Sequence, residues 1–183
     1  MSKIHKVDIL GYTAELPILP LPSGISIAFF NLHGDHKLTE HCGKQLAKLV
    51  KESEVILTAE SKGLQLAHVV ARELNHDNYA VARKSHKLYM QDGISIEYGS
   101  SITTGNAQRF YLSAKDVNLI KGKKVAIVDD VISTGESLKG LERLIEKAGG
   151  IVAEKLFVLA EADAKDRKDV KYLSSIPLFK TND

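Results

Sequence analysis

The sequence predicts an α/β fold: a mainly parallel, twisted sheet with helices on both faces. Three observations predict it. Short apolar runs alternate with segments of helical periodicity along most of the chain. One run, Val125 to Val128, is apolar at every position and reads as a buried strand. A polar turn, Ser133-Thr134-Gly135, then opens a helix.

The elements follow in order. The stretch up to Asp35 holds all but one of the prolines, Pro17, Pro20 and Pro22, and reads as irregular before a strand from Gly24 to Phe30. From Leu38 to Val50 the pattern is helical, with Leu46, Leu49 and Val50 on one face. Glu54 to Leu57 is a short buried strand ending at Thr58 and Ala59. A helix from Leu64 to Leu74 puts Leu64, Ala67, His68 and Ala71 on one face, and Tyr79 to Ala82 is a strand. After Val125 to Val128 a helix from Leu138 to Ala148 turns Leu138, Leu141, Leu144, Ile145 and Ala148 inward, until Gly149-Gly150 stops it. Ile151 to Ala160 is the next strand. Ligands of such sheets bind at the carboxyl ends of strands, so the loops after Leu57, Ala82, Val128 and Ala160 are the ones to inspect. The segment from Gln91 to Leu112 breaks the alternation. Its polar stretch of Gly, Ser and Thr reads as a functional lid or as disorder, and its neighbours favour a lid.

The 183 residues suffice for a single domain, 1–183. A net charge of +2 gives no argument for a nucleic acid or membrane partner. The one cysteine, Cys42, excludes an intrachain disulfide and fits a reducing cytosol. Met1 to Leu10 has no apolar run of signal-peptide length, and no stretch approaches the roughly 20 residues of a membrane span.

The chemistry concentrates after Val128. Asp129 and Asp130 end the apolar run, and Ser133, Thr134, Gly135, Glu136 and Ser137 carry the chain into a helix. Backbone N–H groups of such a turn converge on an anion, helped by the helix dipole and the hydroxyls. Two carboxylates beside a phosphate would repel it unless they held something else, and ribose hydroxyls fit, because a carboxylate accepts O–H donors well. The loop therefore reads as a sensor for ribose 5-phosphate. The plainer alternative is a capped helix after a buried strand, which leaves the paired acids unexplained.

These residues resemble the phosphoribosyl pyrophosphate (PRPP) signature of type I phosphoribosyltransferases, and the chain looks most like their adenine branch from about Thr58 to Phe179. Glu60, Ser61, Lys62 and Gly63 resemble the family's pyrophosphate loop. Arg83, Lys84 and Lys87 resemble its basic segment, and Glu97-Tyr98-Gly99 the start of its catalytic loop. The resemblance implies the type I phosphoribosyltransferase fold, with a small hood over the base at about 1–36 and a core at about 37–183. It also implies a cytoplasmic homodimer that takes PRPP with Mg2+ and a purine base, with no metal held directly by protein. Glu136 departs from the glycine common at its position, so its side chain is expected to point outward.

Chemistry supports the same residues. Lys62, Lys84 and Lys87 follow strand ends beside the anion loop and suit a departing pyrophosphate. Glu97 could share a proton with the attacking purine. Tyr98 either stacks at closure or is a half-buried strand aromatic, and Phe29 or Phe30 either stacks on the base or packs in the core. His33, His36 and His41 read as surface or base-pocket residues rather than metal ligands. The run from Asp163 to Asp169 reads as a solvated turn. Two alternatives remain: a PRPP-sensing regulator on the same fold, and a xanthine or other oxopurine enzyme.

Overall fold

The computed structural model describes residues 3–99 and 108–180. The chain opens with β1 (Ile4–Ile9), β2 (Tyr12–Pro20) and β3 (Ile25–Ala28), all antiparallel neighbours. The irregular reading of this stretch is corrected. Val7, Ile9, Ala14 and Leu16 are buried at alternate positions, a period-2 face that the prolines obscured. Helix α1 (His36–Ala47) begins at Asp35, whose side chain accepts the Leu38 N–H at 3.0 Å. It starts two residues before the expected boundary because this cap is satisfied there.

Strand β4 (Val55–Ala59), helix α2 (Leu64–Glu73) and β5 (Ala80–Ala82) follow. His68 is exposed, against expectation. The buried stripe of α2 runs instead through Leu66, Ala67, Val69, Val70 and Ala71, because α1 covers one flank of the helix and the sheet the other. A hairpin of β6 (Ile94–Tyr98) and β7 (Gln108–Leu112) occupies the segment that broke the alternation. The expected lid, 100–107, lies outside the described residues.

Helix α3 (Ala114–Ile120), β8 (Lys124–Ile132), α4 (Glu136–Lys147) and β9 (Ile151–Glu161) carry the chain to β10 (Lys171–Ile176) and β11 (Leu178–Lys180). The central sheet has the order β10-β9-β8-β4-β5, every pair parallel. The other sheet, β1-β2-β3-β11, is antiparallel, so the hood expected from the N-terminal residues also takes its last strand from the far end of the chain.

Alternation along the central strands builds two core layers. Val55, Leu57, Val125 and Ile127 pack with Leu138, Leu141 and Ile145 of α4, Ile120 of α3 and the hairpin residues Tyr98 and Phe110. Ile56, Ala126 and Val128 pack with Leu38, Cys42 and Leu46 of α1, Leu66 and Val70 of α2, and the hood residues Val7, Leu16 and Phe30. The hood thus shares the main core rather than having its own. With helices on both faces, the loops that follow β4, β5, β8 and β9 gather at one edge of the sheet.

Phe110 lies fully buried against Tyr98, ring centroids 4.1 Å apart and nearly parallel, and ties the hairpin to α4. Phe110→Ala should cost about 3–5 kcal/mol, read as a lowered midpoint in urea unfolding with an unchanged slope.

Candidate active site

Strand β8 lies in the middle of the parallel sheet, and its end runs beyond its pairing with β4, which stops at Ile127. It was expected to stop at Val128 but runs on to Ile132, because β9 continues to pair with it as far as Ala160. Asp129 and Asp130 are therefore strand residues on opposite faces. The two carboxyl groups nonetheless lie close enough to act on each other. Asp130 is buried, and its Oδ2 lies 3.1 Å from Lys62 Nζ as an ion pair without hydrogen-bond alignment. Asp129 lines a cavity of about 140 Å³ with the residues of the following turn, and its Oδ1 accepts the Asp130 N–H at 2.9 Å. Burial, then the neighbouring Asp130 charge, push the Asp129 carboxyl well above the usual carboxylate range.

The turn is formed by Ser133, Thr134 and Gly135. Gly135 has φ +82° and caps α4 with no side chain of its own, and the Glu136 N–H at the start of the helix donates to the Thr134 hydroxyl at 3.4 Å. Ser133 and Thr134 are exposed, and the cavity over the turn reaches Ser137. Glu136 points outward as expected: it is half exposed and pairs loosely with Lys139 at 3.9 Å. The arrangement is an anion cradle floored by Leu138, Leu141 and Phe157.

The loop after β4 supplies the cation. Gly63 packs so closely on Thr58 and Asp129 that a Cβ there would collide with Thr58 Oγ1 and come within 2.9 Å of Asp129 Oδ1. This packing sets Lys62 over Asp130. The Lys62 ammonium also stands 5.5 Å from the centre of the Phe29 ring. The Glu60–Ser61 peptide is cis, and Ser61 is exposed.

Glu60 is corrected from a pyrophosphate ligand to a clip between loops. Its Oε2 lies 2.6 Å from Arg83 Nε, short of hydrogen-bond alignment, and its Oε1 accepts the Lys84 N–H at 2.5 Å. Arg83 is spent on the same clip, with Nη1 donating to the Tyr89 hydroxyl at 3.1 Å. That leaves Lys84, exposed and close enough to act on the Asp129 carboxyl, and the half-buried Lys87.

Strand alternation separates the expected catalytic pair. Tyr98 turns inward and is 6% exposed on its stack with Phe110, so it is not free to stack on a ligand. Burial raises its hydroxyl pKa, and the neighbouring Ser137 side chain pulls it back. Glu97 turns outward. Its carboxylate pairs with Arg109 across the hairpin, and its carbonyl accepts from Arg143 at 3.0 Å. It does not meet the acids or the turn in this structure. Phe30 is in the core at 2% exposure, which removes it from the base site and leaves Phe29.

A family model for the phosphoribosyl transferase domain matches residues 31–181. The chain belongs to that family. A xanthine phosphoribosyltransferase from Exiguobacterium sp. is 34% identical over 72% of this chain and 71% of its own length. An adenine phosphoribosyltransferase from Mesomycoplasma hyopneumoniae is 29% identical over 81% of this chain and 83% of its own. Among solved structures, the adenine phosphoribosyltransferase of Thermoanaerobacter pseudethanolicus superposes with a TM-score of 0.71 at 23% identity, covering 88% of this chain and 95% of that one, a likeness of fold. The turn, the acids and the Lys62 loop lie at the carboxyl ends of β8 and β4, the edge of an open parallel sheet where ligands commonly bind.

Sequence reasoning missed Thr58, Asn31 and Arg167. Thr58 carries a buried hydroxyl without a partner beneath Gly63, Asn31 shares a cavity with Phe29, and Arg167 packs its guanidinium onto Gly135. Arg167 has no local signal, because it acts on a segment distant in the chain. Among the histidines, His41 Nε2 bonds the Ile9 carbonyl oxygen at 2.6 Å, while His33 and His36 line an open groove between α1 and α2. No three His, Cys, Asp or Glu side chains converge as a cation site among the described residues.

Asp129 makes a stability prediction with a definite sign. Its folded pKa is raised, so the native state keeps a proton that the unfolded chain loses. Stability from this group is full below the unfolded carboxylate value near ~3.9 and falls as pH rises toward the folded value. Asp129→Asn should therefore stabilise the unliganded protein by about 1–3 kcal/mol at pH 8 and by almost nothing at pH 3. Urea unfolding across that range checks it.

Proposed function

We propose that the protein is a purine phosphoribosyltransferase, which transfers ribose 5-phosphate from PRPP to a ring nitrogen of a free purine and releases nucleoside monophosphate and pyrophosphate. The observation that carries this reading is the position of Lys62, against Asp130 on one side and over the Phe29 ring on the other. One cation thus joins the acids that suit a ribose to the aromatic face that suits a base. N–H groups at Thr134, Gly135, Glu136 and Ser137, with the hydroxyls of Ser133, Thr134 and Ser137, take the 5-phosphate. Asp129 and Asp130 take the ribose hydroxyls and favour positive charge developing on the ribose. Lys62, Lys84, Lys87 and the N–H groups around Ser61 and Gly63 take the pyrophosphate, while Glu60 and Arg83 keep the two loops in register. Mg2+ fits as part of the pyrophosphate complex, with phosphate oxygens and water completing its shell, and when bound it offsets the charge of the leaving group.

Glu97 is the proposed proton partner of the purine. Its partner Arg109 is half exposed, and such pairs exchange readily for another contact. Adenine is the favoured base, because the M. hyopneumoniae adenine enzyme aligns over more of both chains than the xanthine enzyme does. A second reading, an oxopurine, rests on Asn31. Its Oδ1 accepts the His33 N–H at 3.1 Å, which leaves the amide N–H groups beside Phe29 to donate to a ring carbonyl. A homodimer is proposed as well, supported by Leu88 and Tyr89, large side chains left exposed beside Lys87. No helix among the described residues is long and apolar enough to cross a membrane, which agrees with a cytoplasmic site of action.

The deciding experiment offers adenine, hypoxanthine, guanine and xanthine with PRPP and Mg2+ and measures nucleotide formed. Adenine should be used fastest. Use of xanthine with rejection of adenine would establish the second reading, and PRPP binding without turnover on any base would return the chain to the regulators. In the same assay Glu97→Gln should lower turnover by about 10²–10⁴-fold with PRPP affinity nearly unchanged. Phe29→Ala should raise KM for the base by about 10-fold, the loss expected for a removed stacking face.

A further inference from the structure

The charged run after β9 was read as a solvated turn, and the structure gives one of its members a different place. A 3₁₀ turn, Ala162–Asp166, bends the chain back toward α4. Arg167 then reaches across to the turn after β8, where its Nη1 occupies the space a Cβ on Gly135 would need. The guanidinium is fixed in plane. Nε and Nη2 donate to Asp169 Oδ1 and Oδ2 at 3.0 and 2.7 Å. Asp169 in turn lies 3.2 Å from Lys155 Nζ, which pairs with Glu142 of α4. Only about a quarter of the Arg167 side chain is exposed. Nη1 has no hydrogen-bond partner among the described residues.

We propose that Arg167 is a specificity residue of this site: its untied Nη1 closes the 5-phosphate cradle at Gly135 and donates to a phosphate oxygen. The inference rests on the phosphoribosyl reading of the turn. Charge supports it. A phosphate monoester dianion at this turn has Asp129 of β8 beside it, in the same cavity. Helix N–H groups supply partial charges, and Lys62 is committed to Asp130. Arg167 is the full positive charge seated against the turn itself. The Asp169 fork holds it there before ligand arrives, so little side-chain freedom is lost on binding. Gly135 has a second reason to be glycine, since any side chain would displace this cation.

The test measures ribose 5-phosphate and pyrophosphate separately by calorimetry, and PRPP turnover by initial rates, in wild type, Arg167→Met and Arg167→Lys. Arg167→Met should weaken ribose 5-phosphate by about 10–100-fold, the range for a lost charge-assisted hydrogen bond, and leave pyrophosphate within about 2-fold. KM for PRPP should rise more than kcat falls, and Arg167→Lys should recover part of the loss. Asp169→Ala, which unties Arg167 without removing it, should give an intermediate loss and serves if Arg167→Met fails to fold. Unchanged ribose 5-phosphate affinity in folded Arg167→Met, or equal loss of both ligands with a lowered melting temperature, would overturn the role. A wild type that binds neither ligand and transfers nothing would remove the phosphoribosyl reading and this inference with it, and that result is visible without any variant.

Discussion

Two carboxylates at the end of a central, doubly covered strand are the constraint around which this site is arranged. Charge at such a place is costly unless it is partnered. The fold meets the cost differently on the two faces of the strand. Asp130 has Lys62, delivered by a loop whose Gly63 packs against Thr58 and Asp129. Asp129 has no cation in contact and keeps its proton to a pH well above the carboxylate norm. A ligand that donates hydroxyl groups to Asp129 favours its ionised form, so binding and deprotonation are linked.

A second layer keeps the binding groups in register without touching ligand. Glu60 ties the β4 loop to Arg83 and Lys84 after β5, and the main chain of Arg83 pairs in both directions with Tyr111 of the hairpin. Three segments that share no sequence neighbourhood thus move as one edge. The Tyr98 ring is locked on Phe110 and packs against Gly140 of α4. The hairpin that carries Glu97 on its outer side is therefore anchored to α4 by the adjacent residue. The hood has the same dependence on distant parts: β11 closes its sheet, and its inner face is finished by α1.

Much of this was legible in the residues alone. The all-apolar run of Val125 to Val128 marked a buried strand, and Thr134-Gly135 marked the turn into α4, because strand burial and turn chemistry are local properties. Inward positions on α4 agreed with its periodicity, and Glu136 faced outward as its place in the first turn requires. What only the tertiary structure decided depends on which segments meet. Glu60 reads as a loop acid until Arg83 and the Lys84 N–H are found on it. Phe29 and Phe30 are equivalent in a list of residues, and the packing of one beside Lys62 and the other in the core separates them. Period-2 burial was hidden in β1 and β2 by Pro17 and Pro20 of β2, an inner strand of the sheet. Arg167 belongs to a charged run indistinguishable from any solvated turn, and only the return of the chain after β9 seats it on Gly135. Local sequence carries periodicity, caps and turn residues. The pairing of distant charges and faces is set by the packing of the whole chain, and no neighbouring residue records it.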